Sequence, residues 1–236
     1  MRYPKLSIIV PVYDEAAAIK KVLERMRGQD LTGIGIKKSD IEVIVVDDGS
    51  TDGTRKILTQ FGTGHTILLH QRNLGLTAAM MTGLREAKGE IMLVQHADLE
   101  YHPKDWPKLL SPILAGKADM VMGSRYLQRQ GQRHFSVRYQ LGGQGLTMLF
   151  NLLFGTKLTD IFTAHRAFTR QVQQNFKPQG RGFAFETELT AQTVKRGFNI
   201  LEVPISYEAR NFQQGKKLHW HAAFDVVMAM LRTWMS

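Results

Sequence analysis

Four short apolar runs, Leu6–Val10, Ile41–Val46, Thr66–His70 and Glu90–Gln95, recur along the first hundred residues. Ile8-Ile9-Val10 and Val43-Ile44-Val45-Val46 are continuous and β-branched, as in strands buried on both faces of a parallel sheet. The segments between the runs carry apolar residues at helical spacing. Asp14–Arg27 has Ile19, Val22, Leu23 and Met26, and Thr51–Phe61 and Leu74–Ala87 read the same way. Strands alternating with helices predict right-handed crossovers and a doubly wound, mostly parallel α/β sheet.

After a fifth strand, Met120–Ser124, the pattern changes. Tyr126–Phe135 is polar and loop-like, Tyr139–Phe154 is an amphipathic helix, and Leu158–Phe168 has little period. Phe185–Arg196 predicts a helix ended by Gly197, Leu201–Tyr207 a strand, and Phe224–Trp234 a last amphipathic helix. The reading is a single catalytic domain over 1–236. Residues 1–125 form its core, and 126–236 form an integrated C-terminal helical and strand extension on the acceptor and membrane side.

In such a sheet, ligands bind outside the carboxyl ends of the strands. Those ends carry Pro11-Val12-Tyr13-Asp14-Glu15, Asp47-Asp48-Gly49-Ser50-Thr51-Asp52 and His96-Ala97-Asp98-Leu99-Glu100. In the second block Gly49 supplies a turn, and Ser50 or Thr51 is expected to cap the helix entered near Asp52. That leaves Asp47 and Asp48 to accept hydrogen bonds from a nucleobase or ribose. In the third block an extended backbone would turn His96, Asp98 and Glu100 to one side, where they would ligate Mn²⁺ or Mg²⁺.

Charge sharpens this picture. The formal net charge is +10, yet residues up to Val121 hold 16 Lys+Arg against 15 Asp+Glu, whereas the remainder holds 15 against 6. Acidic chemistry belongs to the first half, and the second half attracts anions such as phosphates or lipid headgroups. Neither an aromatic RNA-stacking motif nor a zinc module accompanies the charge, so no nucleic-acid partner is expected. With no cysteine, disulfides and thiolate chemistry are excluded. No run reaches the roughly 18 apolar residues of a membrane span, and residues 1–5 lead straight into a strand. A cytoplasmic address is the expectation.

The blocks Ile8–Glu15, Val45–Asp52, Asn73-Leu74-Gly75 and Gly123-Ser124-Arg125 resemble glycosyltransferase family 2, with the GT-A fold. The similarity is greatest to the polyprenyl-phosphate (dolichyl-phosphate) mannosyl- and glucosyltransferases. Leu158-Thr159-Asp160, Gly182–Glu186 and Glu202–Tyr207 extend it over essentially the whole chain. The resemblance implies an inverting transfer of a hexose from a GDP- or UDP-sugar to a polyprenyl phosphate. It implies that Pro11, Tyr13, Glu15, Asp47, Asp48, Ala97 and Asp98 hold the nucleotide sugar. Arg210 and Lys216, in the basic segment Tyr207–Lys217, would close over the diphosphate. It places the acceptor phosphate on Arg125 and Arg138, gives Asp98, Arg125 and Asp160 catalytic roles, and sets the metal on His96, Asp98 and Glu100.

The family's metal motif is Asp-x-Asp, and here His96 stands in the first position. Imidazole predicts a preference for Mn²⁺ over Mg²⁺, or a weakened homologue that keeps only the nucleotide pocket. A lipid phosphate is already anionic and needs no strong base. A saccharide or protein hydroxyl would need one, and Asp160 or Glu186 is the candidate. The helices Tyr139–Phe154 and Phe224–Trp234 are expected to rest on a bilayer interface or to pack in the core and between copies, with Arg129, Arg133, Lys157 and Arg232 near headgroups. His219-Trp220-His221 receives no ligand role, because an i, i+2 pair on a helix does not share a face.

Overall fold

The computed structural model describes residues 5–61, 64–127, 137–180, 184–210 and 221–236, except the side chains of 137–139, 221 and 222. Its strands are β1 (Leu6–Val12), β2 (Ile41–Asp47), β3 (Thr66–Leu69), β4 (Ile91–Val94), β5 (Met120–Ser124), β6 (Arg166–Thr169) and β7 (Ile200–Pro204). They form one sheet in the order β3-β2-β1-β4-β6-β5-β7. β3, β2, β1 and β4 run parallel, β6 is antiparallel to both β4 and β5, and β7 is parallel to β5. Every side chain of β1 is buried, Ser7 included, as expected of a strand covered on both faces.

Two apolar layers cover the sheet. Leu6, Ile8 and Val10 face α1 (Ile19–Arg27) and α4 (Trp106–Leu114), through Ile19, Val22, Leu23, Trp106, Leu109 and Leu110. Ile9, Ile44, Val46 and Met92 face α3 (Leu76–Glu86) and α7 (Ala184–Lys195), through Ala79, Met80, Leu84, Phe185 and Leu189. Each of these large side chains contributes about 1.5–3 kcal/mol relative to exposure. The remaining helices are α2 (Thr54–Gln60), α5 (Val137–Phe154), α6 (Arg170–Asn175) and α8 (His221–Met235). Phe150, Ile161, Ala191, Val226 and Met230 form a third cluster that joins α5, α7 and α8.

The five expected strands and the late strand are present, and β6, α4 and α6 are additional. Leu158–Phe168 lacks period because its strand is four residues long and opens on Arg166, which is fully buried. That guanidinium is accommodated by hydrogen bonds to Glu186 O, Thr190 Oγ1 and Thr163 O. α1 begins at Ile19 rather than Asp14, because Asp14 adopts φ +48° and residues 14–16 bond to the loop after β2. α2 begins at Thr54 with Gly53 at its N-cap, so neither Ser50 nor Thr51 caps it. Instead Asp52 Oδ1 accepts from Thr54 N (3.0 Å) and Oγ1 (2.6 Å).

α5 presents an apolar line to solvent. Leu141, Met148 and Leu152 are spaced seven and four residues apart, hence on one face, and are 64%, 76% and 81% exposed. Phe150 on the opposite face is buried. Phe224 and Met235 on α8 are also exposed. No helix among the described residues is long and apolar enough to cross a membrane.

Candidate active site

The carboxyl ends of β1, β2 and β4 meet along one edge, where their loops are stitched together by side chains. Asp14 N donates to Ser50 Oγ (3.0 Å), Thr51 N to Asp14 Oδ1 (2.8 Å), Glu15 N to Thr54 Oγ1 (2.9 Å) and Ala16 N to Asp52 Oδ2 (2.9 Å). Short polar side chains that bond neighbouring backbone explain why this block is rich in Asp, Ser and Thr. Pro11 is buried within β1, paired with Val46, and Tyr13 is half-buried just beyond it.

Asp47 and Asp48 diverge, as successive residues of a strand must. Asp47 is fully buried and takes Arg55 Nε on Oδ2 at 2.9 Å, while Arg55 Nη2 donates to His70 O at 2.6 Å. Asp48 Oδ1 lies 2.7 Å from His70 Nδ1 and accepts from Leu74 N at 3.0 Å, and its Oδ2 accepts from Gly75 N at 2.8 Å. His70 Nε2 in turn lies 3.0 Å from Thr82 Oγ1. Both carboxylates thus fasten the segment 70–75 to the end of β2. His70 was not among the expected site residues, although its place at the end of β3 is the signal that marks the others.

After β4 the backbone is not extended. Leu99 adopts φ +64°, and Asp98 Oδ1 accepts from Glu100 N (3.1 Å), closing a turn. No group of three His, Cys, Asp or Glu among the described residues is placed to hold a metal, His96, Asp98 and Glu100 included. His96 Nε2 points toward Glu186 Oε1 at 3.8 Å, too far for a hydrogen bond. Burial depresses the imidazole pKa more than Glu186 and Glu100 raise it, so His96 is neutral at pH 7. Glu100 Oε2 accepts from Tyr207 OH (2.7 Å) and Oε1 from Arg210 N (2.9 Å). Burial, then the nearby Asp98, pushes the Glu100 pKa up. The expected three-residue metal set does not fit this geometry: Asp98 and Glu100 face Arg210, whereas His96 faces Glu186.

That cluster is built on Arg210. Its guanidinium makes a two-point pair with Glu15 (2.8 and 3.1 Å) and lies 3.6 Å from Asp98 Oδ2 and 3.9 Å from Glu100 Oε1. Burial alone would lower its pKa, but Asp98, Glu15 and Glu100 outweigh it and hold the charge firmly. Three carboxylates and a fork of donors form a compact polar edge, and Ala97, next to Asp98 in the chain, is buried.

Beside it stands a second guanidinium. Arg125, at the end of β5, is buried and meets Asp160 through Nε (2.6 Å) and Nη2 (2.7 Å), and its own N–H donates to Asp160 Oδ2 at 3.1 Å. Asp160 is positioned from β7, because Glu202 accepts from Asp160 N (2.9 Å), Thr159 N (2.7 Å) and Thr159 Oγ1 (3.0 Å). The side chain of Arg138 and all of Lys216, Arg129, Arg133, His219 and Trp220 lie outside the described residues.

A mostly parallel sheet thus gathers carboxylates and guanidinium groups at its strand ends, and comparison with known proteins identifies the chain as a nucleotide-sugar-dependent glycosyltransferase of GT-A-like fold. The chain belongs to glycosyl transferase family 2, whose model matches residues 7–176. Two relatives carry assigned activities. The UDP-N-acetylglucosamine–dolichyl-phosphate N-acetylglucosaminyltransferase of Methanococcus voltae is 28% identical over 95% of this chain and 94% of its own length. The polyprenol monophosphomannose synthase of Mycolicibacterium smegmatis is 26% identical over 89% of this chain and 79% of its own. Both lie in the branch that the strand-end motifs resemble. Among solved structures, glucosyl-3-phosphoglycerate synthase from Mycobacterium tuberculosis in complex with UDP superposes with a TM-score of 0.72 at 19% identity. That match covers 98% of this chain and 80% of the synthase. The same synthase is also known with Mn²⁺, UDP and glucosyl-3-phosphoglycerate.

Proposed function

We propose that this chain moves a hexose from a GDP- or UDP-sugar to a polyprenyl phosphate. The observation that carries the reading is the pair of guanidinium groups on one edge, Arg210 over the strand-end carboxylates and Arg125 held by Asp160. Arg210 suits the diphosphate of the donor, and Arg125 with Arg138 suits a phosphate acceptor, since a guanidinium grips phosphate at two points. The activities of the two relatives, both on lipid phosphates, support the same acceptor class.

In this reading Tyr13, Glu15 and Pro11 line the nucleotide side, and Asp47 and Asp48 act by fixing the loop 70–75 beside it. Asp98 is the residue left to hold a divalent metal, together with oxygens of the donor. Such an ion would offset charge on the departing diphosphate. Acceptor phosphate oxygen attacks the anomeric carbon in line and inverts it, and no strong base is required because the phosphate is already anionic. Asp160 has both oxygens on Arg125, so its part is to orient that arginine rather than to take a proton.

A second reading has one observation in its favour. Glu186 is buried within reach of His96 near the same edge, where a carboxylate would serve as base for a saccharide or protein hydroxyl acceptor. The exposed line of α5 supports contact with a bilayer, in keeping with a lipid acceptor.

The deciding experiment is transfer of radiolabelled hexose from GDP-mannose, UDP-glucose and UDP-N-acetylglucosamine into lipid extract, with Mn²⁺ or Mg²⁺. Label extractable into organic solvent and acid-labile supports the first reading. Label only in water-soluble product supports the second, and nucleotide binding without transfer marks a weakened homologue.

A further inference from the structure

We propose that Tyr207 is a positioning residue shared by the two substrate grips: its ring supports Arg125, and its hydroxyl sets Glu100 and, through it, Arg210. The proposal rests on the donor and acceptor roles given above to those arginines, and it concerns a residue outside both.

Tyr207 lies three residues beyond β7 and pairs with Tyr101 through a single antiparallel bridge. The two rings stand 5.2 Å apart, tilted by 56°, and both residues are buried. On Tyr207, the Arg125 guanidinium carbon sits 5.0 Å from the ring centroid, within the range of a cation–π contact. Arg125 is therefore held by two partners, Asp160 through hydrogen bonds and Tyr207 through its ring. The opposite end of the tyrosine does different work. Its hydroxyl donates to Glu100 Oε2 at 2.7 Å, and the other oxygen of that carboxylate accepts from Arg210 N at 2.9 Å. Arg210 then reaches Glu15 through both terminal nitrogens. Burial holds the phenol protonated, so it remains a donor.

One residue thus touches the acceptor arginine with its ring and the donor arginine's carboxylate with its hydroxyl. The two functions sit on different atoms and separate by substitution. Tyr207→Phe keeps the ring and loses the hydroxyl, whereas Tyr207→Leu loses both. Titration calorimetry with UDP and with GDP, alongside KM values for nucleotide sugar and polyprenyl phosphate, reads out each grip. Tyr207→Phe is expected to weaken nucleotide diphosphate binding about 10-fold, the scale of a lost hydrogen bond to a charged group, and to leave the acceptor KM within about twofold. Tyr207→Leu is expected to raise both KM values.

Unchanged nucleotide binding in Tyr207→Phe overturns the proposal. So does an equal rise of both KM values in that variant together with a lowered melting temperature, which would make Tyr207 a packing residue only. A wild-type chain that binds neither UDP nor GDP overturns both the proposal and the functional reading. Transfer confined to water-soluble acceptors, with weakened nucleotide binding in Tyr207→Phe, overturns the acceptor assignment alone and supports the donor arm.

Discussion

Asp48 and His70 meet at 2.7 Å, and the same carboxylate takes the N–H groups of Leu74 and Gly75. One side chain at the end of β2 therefore fastens three points of the segment 70–75. Gly49 brings the backbone into the same close approach. It adopts φ +77°, and a Cβ there would lie 2.3 Å from the carbonyl carbon of Arg72.

Gly49→Ala is accordingly expected to destabilise the fold by roughly 3 kcal/mol or more, since strain of the left-handed conformation and a backbone clash add. Urea unfolding of the variant measures the loss. Full stability would mean that the loops after β2 and β3 do not touch as described.

Asp160→Asn leaves the buried Arg125 without its anionic partner. Breaking one side of such a pair costs about 3–5 kcal/mol, read from denaturant midpoints. The KM for the acceptor should rise with it, while nucleotide binding should hold. A loss confined to nucleotide binding would place Arg125 on the donor side instead.

His165 is buried against Tyr101, and burial lowers its pKa to about 4. The unfolded chain titrates this group near 6.5. Its contribution is therefore fully present above about pH 6.5, is lost as pH falls, and levels off below about pH 4. Over the whole window the loss is on the order of 3 kcal/mol. His165→Phe keeps a ring on Tyr101 and should shrink the stability difference between pH 7.5 and 5 by about 2 kcal/mol. Equal pH slopes in variant and wild type would contradict a neutral buried imidazole.

Metal affinity should follow Asp98 and not His96. Because His96 Nε2 faces Glu186, His96→Ala is expected to change Mn²⁺ binding in the presence of nucleotide by less than about twofold. Asp98→Ala should remove most of it, a loss of about 10-fold or more by the scale of ligand and supporting-residue substitutions. Electron paramagnetic resonance of bound Mn²⁺ distinguishes the two; a large effect at position 96 would restore the expected His96 ligand.

Met148→Glu with Leu152→Glu places two charges on the exposed line of α5. Flotation with vesicles of phosphatidylglycerol and phosphatidylcholine should show the wild type bound and the double variant largely free, with binding weakened by salt. If the variant instead splits a dimer and leaves vesicle binding intact, the face packs on a second copy.

Much of this arrangement is legible before any coordinates. Continuous β-branched runs locate β1 and β2, a short apolar run locates β4, and the carboxylates after them locate the working edge, because strand direction alone brings those ends together. The rest depends on distant partners. Arg166 makes β6 unreadable, since only the hydrogen bonds from α7 and Thr163 reveal why a guanidinium is tolerated in a strand. Leu99 gives no local sign of its left-handed backbone, so the alignment of His96, Asp98 and Glu100 is expected and does not form. Arg210 falls among Glu15, Asp98 and Glu100 across more than 100 residues of chain, beyond the reach of any local spacing.

The antiparallel β6 has a consequence for how such enzymes diversify. It enters from the second half of the chain and stands between β4 and β5, while β5 finds both its neighbours, β6 and β7, in that half. A fragment ending near residue 125 would leave β4 with an open ladder and β5 with no partner at all, an invitation to aggregate. The two halves of the chain are woven rather than joined end to end. New acceptor preferences must therefore arise by altering loops and helix faces around a shared sheet, since an acceptor module cannot be exchanged whole.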